Sequence, residues 1–266
     1  MRGRASRHLP PGYAFLGAAA LVLVASAAAT VGGASMHGMD GMPMPGGWEM
    51  PMAWMPVCSR TWLAAAAPFV GMWVVMMVAM MLPSLAPALW RYRRTFGGTG
   101  GMRPGLLTAL AGAAYFLVWA VPGFAVFPLG TALTEVALRR PALAEAVPLA
   151  AGVAVLLAGA FQFTAWKARH LACCRETPGS CHPLPTGAGA AWRHGLRLGF
   201  HCVASCAGLT AILLVTGIMD LRAMALVTAA ITAERLAPDG ARVARATGAV
   251  AVAAGLVLIL RAGGAG

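Results

Sequence analysis

Charge is scarce in this sequence: Asp, Glu, Lys and Arg make up 11% of its 266 residues, and 59% are hydrophobic. A soluble domain of this length needs far more charge to cover its surface, so a soluble fold is excluded for any large part of the chain. Three stretches contain no Asp, Glu, Lys, Arg or His at all. Each exceeds the roughly 20 residues that cross a hydrocarbon core, and they run over residues 61–90, 104–134 and 146–166.

Lysine is almost absent, because Lys167 is the only one among the twenty basic residues. The net charge of +12 would suit nucleic acid, but no segment offers a basic face with interleaved aromatic residues, and we expect no nucleic-acid partner. Nucleotide-binding motifs and a His pair at haem-ligand spacing are also lacking. We therefore expect no enzyme, with a thiol or quinone redox role of Cys202 and Cys206 as a minor alternative.

Apolar runs predict an all-α fold, a polytopic membrane helix bundle that has the lipid bilayer as its surroundings. We expect about seven transmembrane segments, or six if the short sixth segment is re-entrant. The predicted helices cover residues 12–32, 62–90, 105–130, 146–168, 195–219, 222–236 and 243–262.

Basic residues predict the orientation, since basic connections stay on the cytoplasmic side. With the N-terminus inside, fifteen of the twenty basic residues lie in or beside the cytoplasmic connections. Residues 1–32 then form an N-terminal transmembrane helix or signal anchor, although a cleaved signal peptide is an alternative. Residues 33–61 are an exported Met/His-rich segment, and residues 62–262 form a helical membrane domain with a cytoplasmic Cys/His-rich loop at 169–194.

Methionine is concentrated, because twelve of the sixteen Met residues fall between Met36 and Met81. The exported part is rich in Gly and Pro, which predicts little secondary structure. Thioether sulfur is a soft ligand that selects Cu(I), although an adaptable hydrophobic loop would also use Met. The candidate ligands in this segment are His37, Met39, Met42 and Met44.

The second predicted helix carries further Met residues along one side, at helical spacing. Packing against neighbouring helices explains such a stripe as well as metal binding does. The candidate ligands in this stripe are Met76, Met77, Met80 and Met81.

Cysteine is the second concentrated residue type, since five of the six Cys lie near the predicted cytoplasmic boundary. In a reducing compartment such a cluster indicates a metal or redox site more often than disulfides. Cys202 and Cys206 are four residues apart and share a helix face, as do His170 and Cys174, while His201 adjoins Cys202. These five residues are candidate ligands, with burial of Cys as a small hydrophobe as the alternative.

Two acidic residues flank the short sixth segment. We expect Asp220 to cap its N-terminus and Glu234 to pair with a neighbouring Arg. The second predicted helix runs inward and the fifth runs outward, so Met80, Met81, Cys202 and Cys206 are expected at similar depth.

Several segments together resemble a bacterial family of predicted metal-binding integral membrane proteins of unassigned function, some described as copper chaperones. The resemblance implies a multi-pass protein of the bacterial cytoplasmic (inner) membrane that associates with copper. It rests on residues 72–84, 162–167, 199–206, 217–221 and 234–240.

The sequence departs from that family pattern at three places. Where relatives tend to carry two adjacent Cys followed by Trp, this chain has Ser205, Cys206 and Ala207. His170 stands where a Cys is expected, and Asp220 where Asn is frequent. The resemblance therefore implies either a site with an altered metal preference, in which nitrogen of His170 or His201 replaces thiolate sulfur, or a degenerate site.

The function predicted from these features is binding of a soft metal ion, above all Cu(I), for transport across the membrane or delivery to a partner. That partner is either a membrane protein complex or a periplasmic metal-binding protein. The alternative is a structural or assembly subunit of a larger membrane complex, because short apolar helices with small residues suit packing against other helices.

The orientation is testable with a membrane-impermeant thiol reagent. In intact cells the reagent is expected to label Cys58, on the exported side, and to leave Cys181 unlabelled. Permeabilised cells serve as the control, in which both thiols react. Labelling of Cys181 in intact cells contradicts the predicted orientation.

Overall fold

A computed structural model describes residues 11–37, 41–51, 62–96, 102–175 and 187–264. Helices dominate these ranges, and the strands form a single antiparallel hairpin there. The elements are α1 (Pro11–His37), β1 (Gly41–Met44), β2 (Trp48–Pro51), α2 (Trp62–Arg94), α3 (Met102–Arg139), α4 (Pro141–Glu145), α5 (Val147–Phe161), α6 (Ala165–Arg175), α7 (Ala188–Thr216), α8 (Leu221–Leu236) and α9 (Gly240–Gly263).

The predicted all-α membrane bundle is confirmed. Among the described residues, α1, α2, α3, α7 and α9 are long and apolar enough to cross a membrane, and a sixth span results if α5 and α6 count as one bent segment. At 16 residues, α8 extends about 24 Å, which is short of a hydrocarbon core of about 30 Å. Helix α8 thus corresponds to the sixth predicted segment, which was also predicted to be short.

The long helices that follow one another along the chain run in alternating directions. Trp73 on α2 donates its indole N–H to the Trp119 carbonyl on α3 at 2.9 Å, and further along Leu89 faces Gly112, so α2 and α3 are antiparallel. Helix α9 runs antiparallel to α5, which it contacts at very close range.

This alternation gathers the ends of α2 and α8 with the starts of α3, α7 and α9 at one end of the bundle. That end carries most of the described basic residues, and it supports the predicted orientation, which remains a prediction. We call it the basic end; its basic residues are Arg91, Arg93, Arg94, Arg103, Lys167, Arg169, Arg175, Arg193, Arg197, Arg235, Arg242 and Arg245.

Glycine allows the closest of these helix contacts. A Cβ atom on Gly159 of α5 would lie 2.6 Å from the Val252 amide nitrogen of α9, and one on Gly255 of α9 would lie 2.6 Å from the Leu156 amide nitrogen of α5. A side chain has no room at either place, so small residues set the distance between these two helices.

The prediction of little secondary structure in the exported segment is wrong for residues 41–51, which form the hairpin of β1 and β2. Gly46 and Gly47 have φ values of 94° and 73°, which a tight hairpin turn requires and which glycine adopts without strain. The Trp48 indole donates to the Ala144 carbonyl of α4 at 2.9 Å. Met44 and Met50 are buried against α3 and α4.

The predicted continuous helix over 146–168 is also wrong, because the chain breaks after Phe161 and α6 leaves at 61° to α5. Thr164 explains the break: its hydroxyl donates to the Phe161 carbonyl at 2.7 Å and accepts from the Lys167 amide at 3.3 Å. It therefore caps a new helix. The predicted loop 169–194 is shortened at both ends, since α6 continues to Arg175 and α7 begins at Ala188.

Candidate metal centre

Helix α7 buries one polar face that contains Cys202, Ser205 and Cys206, with relative exposures of 0%, 1% and 2%. The two Cys sulfurs lie 3.9 Å apart, on one face as their spacing of four residues predicts. All cysteines in the described part of the chain are free thiols. The face turns inward to the bundle core, and neither thiol reaches the lipid-facing surface.

The separation of these sulfurs suits chelation. With metal–sulfur bonds of about 2.3 Å, two sulfurs 3.9 Å apart subtend roughly 115° at a shared ion. That angle lies between the tetrahedral and the trigonal value. A linear two-coordinate ion would need sulfurs about 4.6 Å apart by the same bond length. The spacing of the pair is therefore compatible with two ligands of a three- or four-coordinate site, without rearrangement of the helix.

A tyrosine from another helix approaches the first thiol. Tyr115 on α3 is fully buried, and its hydroxyl donates to the Cys202 sulfur at 2.8 Å. A donor at this distance stabilises negative charge on the sulfur. Sequence reasoning missed Tyr115, because it lies in an uncharged stretch with no spacing that relates it to the cysteines.

Ser205 separates the cysteine pair from a third thiol. Its oxygen lies 3.8 Å from the Cys206 sulfur and 3.9 Å from the Cys174 sulfur on α6. The hydroxyl donates to the Cys202 carbonyl at 3.0 Å. Ser205, one of the positions at which the sequence departs from the family pattern that it resembles, thus lies between two sulfurs of this chain.

A buried arginine faces the same cluster from α8. Arg235 is 8% exposed, donates to the Ser84 hydroxyl of α2 at 3.0 Å, and lies within electrostatic range of Cys174, Cys202 and Cys206. Sequence reasoning noted Arg235 only as part of a family segment and assigned it no role. The sequence feature that could have identified Arg235 is a charged residue next to an apolar run, because ionisable residues within a membrane are functional candidates.

The residue before it, Glu234, pairs with Lys167 of α6 at 2.6 Å, and their side chains are 2% and 1% exposed. The expectation that Glu234 pairs with a neighbouring Arg is therefore wrong. The bend before α6 brings Lys167 to α8, which a straight helix would not do. The expected N-cap is confirmed, since the Asp220 carboxylate accepts from the Arg222 and Ala223 amides.

The Met stripe of α2 lies in the same buried cluster as the cysteines. Its members Met76, Met77, Met80 and Met81 are 0–2% exposed, and α3 and α8 each contact both α2 and α7. Burial in a common core satisfies the packing interpretation equally well. A direct approach of Met and Cys sulfurs across the helices stays a prediction.

Two histidines form a second contact between α6 and α7, one helical turn from the contact of Cys174 with Ser205. The Nδ1 atoms of His170 and His201 lie 2.9 Å apart, and both side chains are half-buried. Trp166 and Phe200 cover the pair on the lipid side and are themselves about half exposed. His170 and His201 thus contact each other and lie next to the cysteine cluster, but they are not part of it.

Other predicted ligands lie apart from this core. Met42 of the hairpin is 36% exposed and Met44 is 8% exposed, while His37 is described by its backbone alone at the end of α1. Met39, like Cys58 and Cys181, lies outside the described residues. Over the described ranges, His, Cys, Asp and Glu side chains form no group of three or more arranged to hold a metal ion.

Comparison with known proteins shows the family of this chain. A protein-family model (PpoB2) described as "Copper chaperone" matches residues 70–258, which is well over half of the chain and runs from within α2 to within α9. The family resemblance inferred from the sequence is thereby confirmed. No curated protein and no solved structure matches the chain.

The position of Ser205 generates a test of the thiol cluster. Ser205→Cys places a third sulfur between Cys174 and Cys206, so we expect Cu(I) affinity to rise by at least roughly tenfold, because thiolate is the softer ligand. Affinity is measured by competition with a Cu(I) chelator under reducing conditions. Ala207→Cys is the control, since it adds a thiol on an exposed position of the same helix. Equal affinities of the two variants contradict a role for this cluster.

Proposed function

The chain belongs to the copper chaperone family, and from that premise we propose that it binds Cu(I) inside the membrane at Cys202 and Cys206 and hands the ion on. The observation that carries this proposal is the pair of fully buried thiol sulfurs 3.9 Å apart. Two soft ligands held at chelating distance in a dry site favour a soft ion over Mg²⁺ or Ca²⁺, which take oxygen ligands.

Charge balance favours a monovalent ion in this site. A buried site is stable when its charges cancel, because uncompensated charge in a low-dielectric environment is costly. Two thiolates, one Cu(I) and the Arg235 guanidinium sum to zero. With Zn(II) in place of Cu(I) the same groups sum to +1. The buried arginine therefore discriminates by charge, in addition to the discrimination by softness that sulfur provides.

The exchange of protons for the metal ion also favours Cu(I). Without metal, one thiolate compensates Arg235 while the second thiol keeps its proton, and that state is also neutral. Binding of Cu(I) then displaces one proton and leaves the charge of the core unchanged. The Tyr115 hydrogen bond to Cys202 supports Cys202 as the thiolate of the metal-free state.

Around the thiol pair, other soft groups extend toward both ends of the bundle. The Met stripe of α2 lies in the same core, the exported hairpin presents Met42, and the His170–His201 pair lies toward the edge of the α6–α7 contact. We propose that these groups bind Cu(I) transiently on its route to a partner protein or across the membrane. On this proposal the protein is a carrier without an enzymatic reaction, in the bacterial inner membrane with its N-terminus in the cytoplasm.

The thiol pair is tested by double replacement. Cys202→Ser with Cys206→Ser removes both sulfurs with little change of volume, and copper in the purified protein is expected to fall from about one ion per chain to background. Copper is measured by atomic emission after purification under reducing conditions. Cys173→Ser, which removes a neighbouring half-buried thiol of α6, is expected to retain copper. A double variant that folds and keeps its copper refutes the proposal.

The charge argument has a separate test in Arg235→Met, which removes the guanidinium but keeps an apolar stem of similar length. The site with two thiolates then becomes neutral with Zn(II) and negative with Cu(I), so the preference for Cu(I) over Zn(II) is expected to fall by roughly tenfold or more. Metal competition monitored by mass spectrometry gives that ratio. Ser84→Ala removes the hydrogen-bond partner of Arg235 and keeps its charge, so its ratio is expected to stay unchanged. Equal ratios in both variants contradict the charge argument.

A further inference from the structure

A cavity of about 710 Å³ lies at the basic end, between α6 and the start of α9, and takes no part in the thiol site. It opens beneath the bend that separates α5 from α6. We propose that this cavity binds the phosphate headgroup of an anionic phospholipid. The residues that carry the proposal are Gln162, Phe163, Lys167, Arg175, Asp239 and Arg245, all of which line the cavity.

The charges on the cavity wall do not cancel. Lys167 is compensated by Glu234 at 2.6 Å, and Asp239 by Arg242 at 2.8 Å. Neither Arg175 nor Arg245 forms an ion pair with a carboxylate of the described residues. The wall therefore keeps two positive charges, which attract an anion.

Both arginines are already oriented by backbone carbonyls. Arg175 donates to carbonyls at and beyond the end of α8, including that of Glu234 at 2.8 Å and that of Pro238 at 2.9 Å. Arg245 donates through Nε to the Ala241 carbonyl at 3.3 Å, and no partner of its terminal nitrogens is found among the described residues. Arg175 therefore contributes its positive charge to the wall while its four terminal N–H groups are taken by carbonyls. Arg245 is held through Nε and keeps its terminal N–H groups for an anion.

Gln162 gives the second, independent indication of a ligand. It is 4% exposed, and both atoms of its amide lack a hydrogen-bond partner within the described part of the chain. Buried polar groups of native proteins are nearly always satisfied. A phosphate or ester oxygen in the cavity accepts from the amide nitrogen and satisfies that atom, and a hydroxyl of the headgroup glycerol donates to the amide oxygen.

The rest of the wall is apolar and distinguishes a lipid from a free anion. Phe163, which is 51% exposed, lies beside Ala168, Leu171 and Ala172 along the cavity. Such a surface contributes nothing to a hydrated phosphate ion, whereas acyl chains pack against it. The basic end is the predicted cytoplasmic side, where anionic lipids are enriched and basic pockets between helices bind their headgroups.

The test uses the full-length protein, delipidated in detergent, with native mass spectrometry of lipid adducts. Phosphatidylglycerol is expected to bind several-fold more tightly than phosphatidylcholine. Arg245→Gln is expected to weaken phosphatidylglycerol binding by about fivefold, and Arg245→Lys to retain most of it. Arg261→Gln is the matched control, because it removes the same charge from the opposite end of α9 and is expected to change nothing.

A second variant separates shape from charge. Ala172→Trp fills the cavity and keeps every charge, so it is expected to weaken phosphatidylglycerol binding while Cu(I) binding stays at the level of the unmodified protein. Displacement of the lipid by millimolar inorganic phosphate would assign the cavity to a free anion and overturn the lipid proposal. Equal binding of the two lipids, or equal losses in Arg245→Gln and Arg261→Gln, would overturn it as well.

Discussion

Three charged side chains are buried in the core of this bundle, and the arrangement of its short helices depends on how their charges are balanced. Lys167 and Glu234 meet at 2.6 Å, and Arg235 is the next residue of α8. Adjacent residues of a helix point about 100° apart, so Glu234 faces α6 while Arg235 faces α2 and α7. Removing either partner of such an ion pair leaves a buried charge, typically at a cost of about 3–5 kcal/mol.

The same constraint explains the break before α6. A straight continuation of α5 would carry Lys167 away from the end of α8. The 61° bend instead lays α6 across α7, where it meets Glu234 through Lys167 and the thiol cluster through Cys174. Arg175 completes the contact by donating to four carbonyls at and beyond the end of α8. The cap formed by Thr164 therefore sets the direction of α6, and that direction places Cys174 at the candidate site.

Helical periodicity predicted the shared face of Cys202 and Cys206, and cap chemistry predicted the role of Asp220, because both depend on residues within one turn. Contacts between residues far apart in the chain were not predicted. His170 and His201, which are 31 residues apart, were both candidate ligands, but nothing in the sequence indicated that they contact each other. Tyr115 was missed altogether and Arg235 was given no role, since no local spacing relates either residue to the cysteines. The bend was missed because it contains no Pro or Gly, and the hairpin because Gly-rich segments usually indicate loops.

The thiol site is short of ligands, and on the proposed function that deficit permits transfer. Cys202 and Cys206 are preorganised, but Ser205 stands between them and Cys174, and no third His, Cys, Asp or Glu of the described residues joins them. A closed set of three or four thiolates would hold Cu(I) tightly, since each strong ligand adds to the barrier for release. A pair with an open position leaves room for the incoming ligand of a partner, so that bonds form and break one at a time. Neutral charge before and after exchange of Cu(I) for a proton removes the electrostatic barrier that a buried site would otherwise impose. On the proposed function, Ser205 in place of a third thiol therefore favours exchange of the ion over its storage.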